Sequence, residues 1–183
     1  MTIKVLEKTE GCFPEIFKKG DWFDLVTAED VTLSGPLAVK PSKTKNESTG
    51  QINIQRGIMF DYKLIPLGVC MEIPEGYEAL IAPRSSMFKD WGLIQTNSIG
   101  IIDNSYKGDN DEWKLPVFAT KDVTVPKGTR LCQFRIQPNQ RATKWQKIKW
   151  LFSSTITLKK VESLGNPDRK GFGEGTKTET SEK

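Results

Sequence analysis

An arginine and two serines, Arg84, Ser85 and Ser86, stand together in APRSSMFKDWGL, Ala82 to Leu93, just after an apolar run. A guanidinium is a planar, permanently charged fork and hydroxyls are neutral donors, a set suited to phosphate oxygens; Arg84 is equally suited to a buried ion pair beside a turn. In TNSIGIIDNSYKGDNDEW, Thr96 to Trp113, residues alternate through Asn97, Ile99, Ile101 and Asp103, with Gly100 in mid-strand. The pattern describes a strand or hairpin that another group approaches closely. Its carboxylate serves as a general base or metal-facing group, or starts a turn toward Tyr106. KGTRLCQFRIQP, Lys127 to Pro138, sets Gln133 between apolar neighbours, where a buried amide needs a partner. LGNPDRKGFGEGTK, Leu164 to Lys177, carries glycines at 165, 171, 173 and 175 around Phe172. Such a strip can wrap its amides around a phosphate and stack its aromatic on a base, or act only as a linker. No helical pattern follows it, so the Walker and Rossmann phosphate loops are excluded.

Composition narrows the chemistry further. The 183 residues contain no histidine, which removes Ser-His-Asp and Cys-His nucleophile systems, His-containing zinc sites and imidazole acid-base catalysis. Carboxylates, hydroxyls, Arg, Lys or an oxygen-held metal must do the work. Cys12, Cys70 and Cys132 form no CxxC pair, so a disulfide framework and a zinc knuckle are both excluded, and the chain reads as reduced and cytoplasmic. The net charge of +4 is spread along the chain, which gives no signature of direct nucleic-acid binding. The longest near-apolar run, LIPLGVCM at Leu64–Met71, is far shorter than the roughly 18 residues of a membrane helix.

The elements that must position these residues read as short strands. Thr2–Val5, Ile52–Gln55, Tyr62–Pro66, Val69–Ile73, Glu78–Ala82, Ser98–Ile102, Leu115–Thr120, Arg130–Ile136 and Ile156–Val161 are apolar or alternating. They are punctuated by PEGY, KGDN and VPKGTR, each with Pro, Gly, Asn or Asp where a turn needs one. One all-β domain over 1–164, sandwich or barrel-like, is expected. Ser34–Gly50 lacks apolar periodicity and reads as a surface excursion. Gln140–Ser153, basic with two tryptophans, reads as a short amphipathic helix or a β extension. Residues 165–183 are glycine-rich, polar and charged, and form a flexible arm unless something orders them.

Taken in order, and preceded by GDWFDLVTAEDVTL at Gly20–Leu33, these segments resemble the five motifs of the trimeric dUTPase family. The likeness is strongest to its Gram-positive and phage branch, through GDW-D, PLGV-ME-PEGYEA, QTNS-G and SYKGDND. The resemblance implies a jelly-roll-like β-barrel subunit in a homotrimer with shared active sites. It also implies hydrolysis of dUTP to dUMP and pyrophosphate with Mg²⁺ held mainly by the triphosphate. By position, Asp103 orients and activates the attacking water, while Asn97 and the backbone of Ile99, Gly100 and Ile101 read the uracil edge. Tyr106 lies under the deoxyribose, and Arg84, Ser85, Ser86 and Gln133 hold the phosphate chain. Asp24 supports the site, Arg169 reaches the terminal phosphate and Phe172 closes over the uracil, with Trp113 the alternative cover. Departures are Trp22-Phe23 before Asp24, Glu174 where a small hydroxyl is usual, and Arg169 three residues before Phe172 instead of five. Two other readings share these residues: a dCTP deaminase of the same superfamily, and a regulatory protein that binds a protein partner through the insertions at 34–50 and 140–153.

Overall fold

The computed structural model describes residues 1–16, 20–45, 49, 52–153, 155–169 and 171. The sheets are built from β1 (Thr2–Glu7), β2 (Glu15–Ile16), β3 (Phe23–Val26), β4 (Val31–Leu33), β5 (Leu37–Lys45), β6 (Ile52–Met59), β7 (Tyr62–Pro66), β8 (Val69–Glu72) and β9 (Tyr77–Pro83). A short helix α1 (Ser85–Trp91) leads into β10 (Leu93–Gln95), β11 (Gly100–Asp103), β12 (Lys114–Ala119), β13 (Val123–Val125) and β14 (Arg130–Pro138). Helix α2 (Lys144–Phe152) and β15 (Thr157–Val161) follow. The sheet that positions the chemistry has the order β11-β9-β14-β3-β2; two three-stranded sheets, β15-β1-β8 and β10-β12-β7, and the pair β13-β4 complete the body.

Alternation explains the core. β9 turns Tyr77, Ala79 and Ile81 inward, and β1 turns Ile3 and Val5 inward. In β14 the alternation breaks where Leu131 and Cys132 are both buried, at the register shift between Arg130 and Cys132 that marks a bulge. Phe134 sits at the centre, with Phe23 stacked on it at 5.2 Å and Trp113 edge-on at 5.2 Å.

Two elements, β5 and α1, depart from the sequence reading, and a third, Gln140–Ser153, takes one of its two expected forms. The described residues of Ser34–Gly50 are on the surface as expected, yet Leu37–Lys45 is β5, paired with β6 from Leu37↔Met59 to Lys45↔Ile52. β5 is exposed along its whole length, so no apolar period marks it. Pro41, which has no N–H, lies where the register shifts between Val39 and Ser42. Gln140–Ser153 resolves to α2, closed by a capping box between Thr143 and Gln146. Trp150 of α2 packs on Tyr77, while Trp145, Leu151 and Phe152 face outward. Helix α1 escapes a periodicity search because it is two turns long and ends at Gly92, a left-handed C-cap with φ 66°. No helix among the described residues is long and apolar enough to cross a membrane.

Candidate active site

The turn Thr96–Ile99 carries the chain from β10 in one sheet to β11 in the next, held where the Thr96 N–H donates to the Pro116 carbonyl at 3.0 Å. Ser98 has φ 58°, the one left-handed non-glycine residue among those described, and the Ile99 N–H donates back to the Asn97 carbonyl at 2.6 Å. Such a backbone costs of order 1–3 kcal/mol and persists only where its surroundings hold it, commonly at functional sites. It leaves Asn97, Ile99 and Ile101 exposed while Gly100 and Ile102 point inward. The close approach expected at Gly100 comes from β9: a methyl there would lie 3.3 Å from Ile81 Cβ and 3.6 Å from Asn97 Nδ2.

Asp103 ends β11 and does start the turn toward Tyr106. Its Oδ1 accepts from the Ser105 N–H at 2.8 Å and the Ser105 hydroxyl at 2.5 Å, and its carbonyl accepts from the Tyr106 N–H. Oδ2 faces the Arg169 guanidinium at 2.5 Å. Burial pushes this carboxyl upward, but the two Ser105 hydrogen bonds and Arg169 outweigh it and hold it below the ordinary carboxylate value. Tyr106 is buried, and its hydroxyl donates to the Glu112 carbonyl at 2.9 Å. Gly171 lies against that ring, where a Cβ would come within 2.7 Å of Tyr106 Cε2.

The acidic stretch Gly108–Asp111, legible in the sequence only as a turn, is the dock for residues 163–169. Asp109 accepts from the Ser163 hydroxyl at 2.6 Å and the Leu164 N–H at 2.7 Å. Asp111, 1% exposed, takes the Arg169 N–H on both oxygens, at 3.0 and 2.9 Å, and the Gly108 N–H at 2.8 Å. Asp168 accepts in turn from the backbone and side chain of Asn110, at 2.9 and 2.8 Å. The signal missed was acidity beyond what a turn needs: Asp109, Asp111 and Glu112 fall within four residues, and Asp109 and Asp111 both accept from residues 163–169.

A second polar group lies where β9 passes into α1. Arg84, the N-cap of α1, forms an ion pair with Asp24 of β3, and Arg130 Nε stands 3.9 Å from the other Asp24 oxygen. Gln133 is the cross-strand partner of both Asp24 and Ala82. Ser85 and Ser86 open the helix beside them. Here the ion-pair reading of Arg84 is the one realised in the isolated chain. A cleft of about 630 Å³ is walled by Asp24, Arg130, Thr129, Glu15 and Phe13; none of Asn97, Asp103, Tyr106 and Arg169 lines it.

The two groups do not meet in one chain. Asp103 pairs across the sheet with Glu78, at the start of β9, whereas Arg84 follows its end. Six residues of strand separate those levels, about 20 Å at roughly 3.3 Å per residue. Trp113 is no cover for a base: it is fully buried against Phe134. Phe172 and Glu174 lie outside the described residues. No three of His, Cys, Asp and Glu cluster tightly enough to hold a metal ion among the described residues.

The class is thus a mostly β, jelly-roll-like fold that carries two separate polar groups. A dUTPase family model matches residues 47–150. The SPbeta prophage-derived deoxyuridine 5′-triphosphate nucleotidohydrolase YosS of Bacillus subtilis is 43% identical over 176 residues, covering 96% of this chain and 97% of the relative. The deoxyuridine 5′-triphosphate nucleotidohydrolase of Rickettsia akari is 30% identical over 85% of this chain and 86% of its own. Among solved structures, the dUTPase of Streptococcus mutans superposes with TM-score 0.57 at 19% identity, over 78% of this chain and 99% of that one. A mutant dUTPase of phage phi11 of S. aureus, in which a structural Mg(II) ion is coordinated, superposes with TM-score 0.55 at 19% identity, over 77% and 93%. The chain belongs to the dUTPase family.

Proposed function

We propose that the protein hydrolyses dUTP to dUMP and pyrophosphate in a homotrimer whose subunits bring the two half-sites together. The observation that carries this reading is the separation of Asp103 from Arg84 along β9: each chain holds both halves, and only apposition of chains completes a site. In the cell the reaction withholds dUTP from DNA synthesis and supplies dUMP.

Arg84, Ser85, Ser86 and Gln133 hold the phosphate chain of the substrate, and Asp24 fixes the guanidinium that does most of that work. Asn97 and the backbone of Ile99, Gly100 and Ile101 meet the uracil edge, and Tyr106 supports the deoxyribose too closely to admit a 2′-hydroxyl. Asp103, held ionised by Ser105 and Arg169, orients and polarises the attacking water. Arg169 exchanges its contact with Asp103 for the terminal phosphate, which leaves Oδ2 for that water. The new bond forms between water oxygen and phosphorus, and pyrophosphate departs with the electrons of the broken anhydride bond. Phe172 covers the base from the glycine-rich arm.

Mg²⁺ neutralises triphosphate charge when bound. Asp24 is engaged by Arg84 and Asp103 by Ser105 and Arg169, so the donor set suits an ion that arrives on the phosphates of the substrate.

Two assays test the reading. A panel of dUTP, dCTP, dTTP and UTP, with Mg²⁺ and with EDTA, should give pyrophosphate from dUTP alone and only with the metal. Deamination of dCTP would favour the deaminase, and nucleotide binding without turnover the regulatory module, with the outward face of α2 as its contact surface. Mixing inactive Asp103→Asn and Arg84→Ala chains should restore activity if sites are shared; no recovery after subunit exchange would refute shared sites.

A further inference from the structure

Gln95 is buried at the end of β10, 6% exposed, one residue before the turn that presents Asn97. Its Nε2 donates to the Ile81 carbonyl of β9 at 3.3 Å and to Asn97 Oδ1 at 2.8 Å. Its own Oε1 is buried without a hydrogen-bond partner. A buried amide that leaves its oxygen unsatisfied while both N–H groups are spent is an expensive arrangement, and it fixes a direction.

The direction follows from valence alone. A backbone carbonyl only accepts, so the Gln95 amide must turn its NH₂ toward Ile81. The second N–H of the same nitrogen then points at Asn97 and requires an acceptor there, which places Asn97 Oδ1 inward. Asn97 is exposed, and with Oδ1 held toward Gln95 the fixed amide offers a ligand its Nδ2, a group that only donates. Gly100 keeps the relay clear: a Cβ at that position would lie 3.6 Å from Asn97 Nδ2, 3.8 Å from Gln95 Nε2 and 3.3 Å from Ile81 Cβ.

We infer that Gln95 is a positioning residue for pyrimidine specificity: the Ile81–Gln95–Asn97 relay locks the Asn97 amide with its donor outward, so that it accepts a base bearing a carbonyl oxygen at its edge and rejects one bearing an amine. Uracil and cytosine differ there by an acceptor and a donor. Against a locked Nδ2, cytosine places two donors face to face and leaves both unpaired, a mismatch that sites built on hydrogen bonds reject strongly. An unlocked Asn97 would rotate its amide and serve either base. The inference rests on the proposed contact between Asn97 and the base, and it assigns the choice of base to a side chain that never touches it.

The test measures kcat/KM for dUTP and dCTP in wild type, Gln95→Met, Gln95→Glu and Asn97→Ala. Gln95→Met replaces a half-satisfied buried amide with an apolar chain of similar shape, so its melting temperature should stay near wild type while the dUTP/dCTP ratio falls about tenfold to a hundredfold, chiefly through KM. Gln95→Glu, protonated against the Ile81 carbonyl, accepts from Asn97 Nδ2 and turns Oδ1 outward; its ratio should fall further, with kcat/KM for dCTP rising in absolute terms. A folded Gln95→Met or Gln95→Glu enzyme that keeps the ratio within twofold, while Asn97→Ala loses it, overturns the relay and leaves the contact of Asn97 with the base intact. If Asn97→Ala itself keeps the ratio, that contact is wrong and the inference falls with it.

Discussion

Replacing Asp111 with Asn tests whether the acidic stretch after β11 is an active part of the site. The carboxylate is buried and accepts from two backbone N–H groups, Arg169 on both oxygens and Gly108 on one. Bonds to a charged acceptor contribute about 1.5–3 kcal/mol each, against about 0.5–1.5 for a neutral one, and the amide nitrogen of Asn would face a donor. A loss of roughly 2–4 kcal/mol at the dock follows, a factor of about 30 to 1,000 in local opening at about 1.4 kcal/mol per tenfold. Hydrogen exchange reads this directly: amides of Leu164 and Arg169 should exchange faster by up to that factor, whereas those of β9 and β14 should not change. Turnover should fall as Arg169 loses its place, with binding of the nucleoside end less affected. Unchanged exchange at 163–169 in a folded Asp111→Asn protein would refute the docking account.

Four further outcomes are expected. Asp103→Asn should lower turnover by roughly 10² or more while nucleotide binding survives in calorimetry. Ser105→Ala should raise the titration midpoint of Asp103, followed by carboxyl NMR, because the hydroxyl bond is lost and burial is then opposed only by the residue-105 N–H and Arg169. In sign, the depressed value means Asp103 stabilises the fold above the unfolded carboxyl value of about 3.9, and that contribution is lost as pH falls through the folded value. Deleting 165–183 should reduce turnover by orders of magnitude with little change in melting temperature; full activity in the truncated protein would remove the arm from the mechanism. Thiol reagents at pH 8 should leave the native protein unlabelled, since Cys12, Cys70 and Cys132 are buried and burial pushes the Cys70 thiol up to about 12.

Legibility varied with the physics of each element. β7, β9 and β14 were plain because alternating side chains and turn residues frame them, and Asp103, Tyr106 and Arg84 could be singled out as candidates because their motifs are local. β3 was hidden inside a motif segment, although Leu25 is a core residue. β5 was hidden because a fully exposed strand has no apolar period. Trp113 was ambiguous because an aromatic beside a site looks the same whether it covers a ligand or fills the core. The roles of Gln95 and Asp111 depend on partners 14 and 58 residues away, which no local pattern contains. Least legible was the distance between the half-sites, which belongs to strand register.

The pairing of β1 with β15 also sets an order of events in synthesis. Thr2 lies beside Thr157 in parallel register, one of the longest sequence separations in the molecule, and β1 is flanked on its other side by β8. β1 can therefore complete its sheet only after residues 157–161 have left the ribosome. Until then one edge of β1 stays open, a template for wrong pairing, and closure is slow because a long loop must be drawn in first. Residues 163–169 follow β15 in the chain, so on a nascent chain the dock at Asp109 and Asp111 can fill only after β15 has been made.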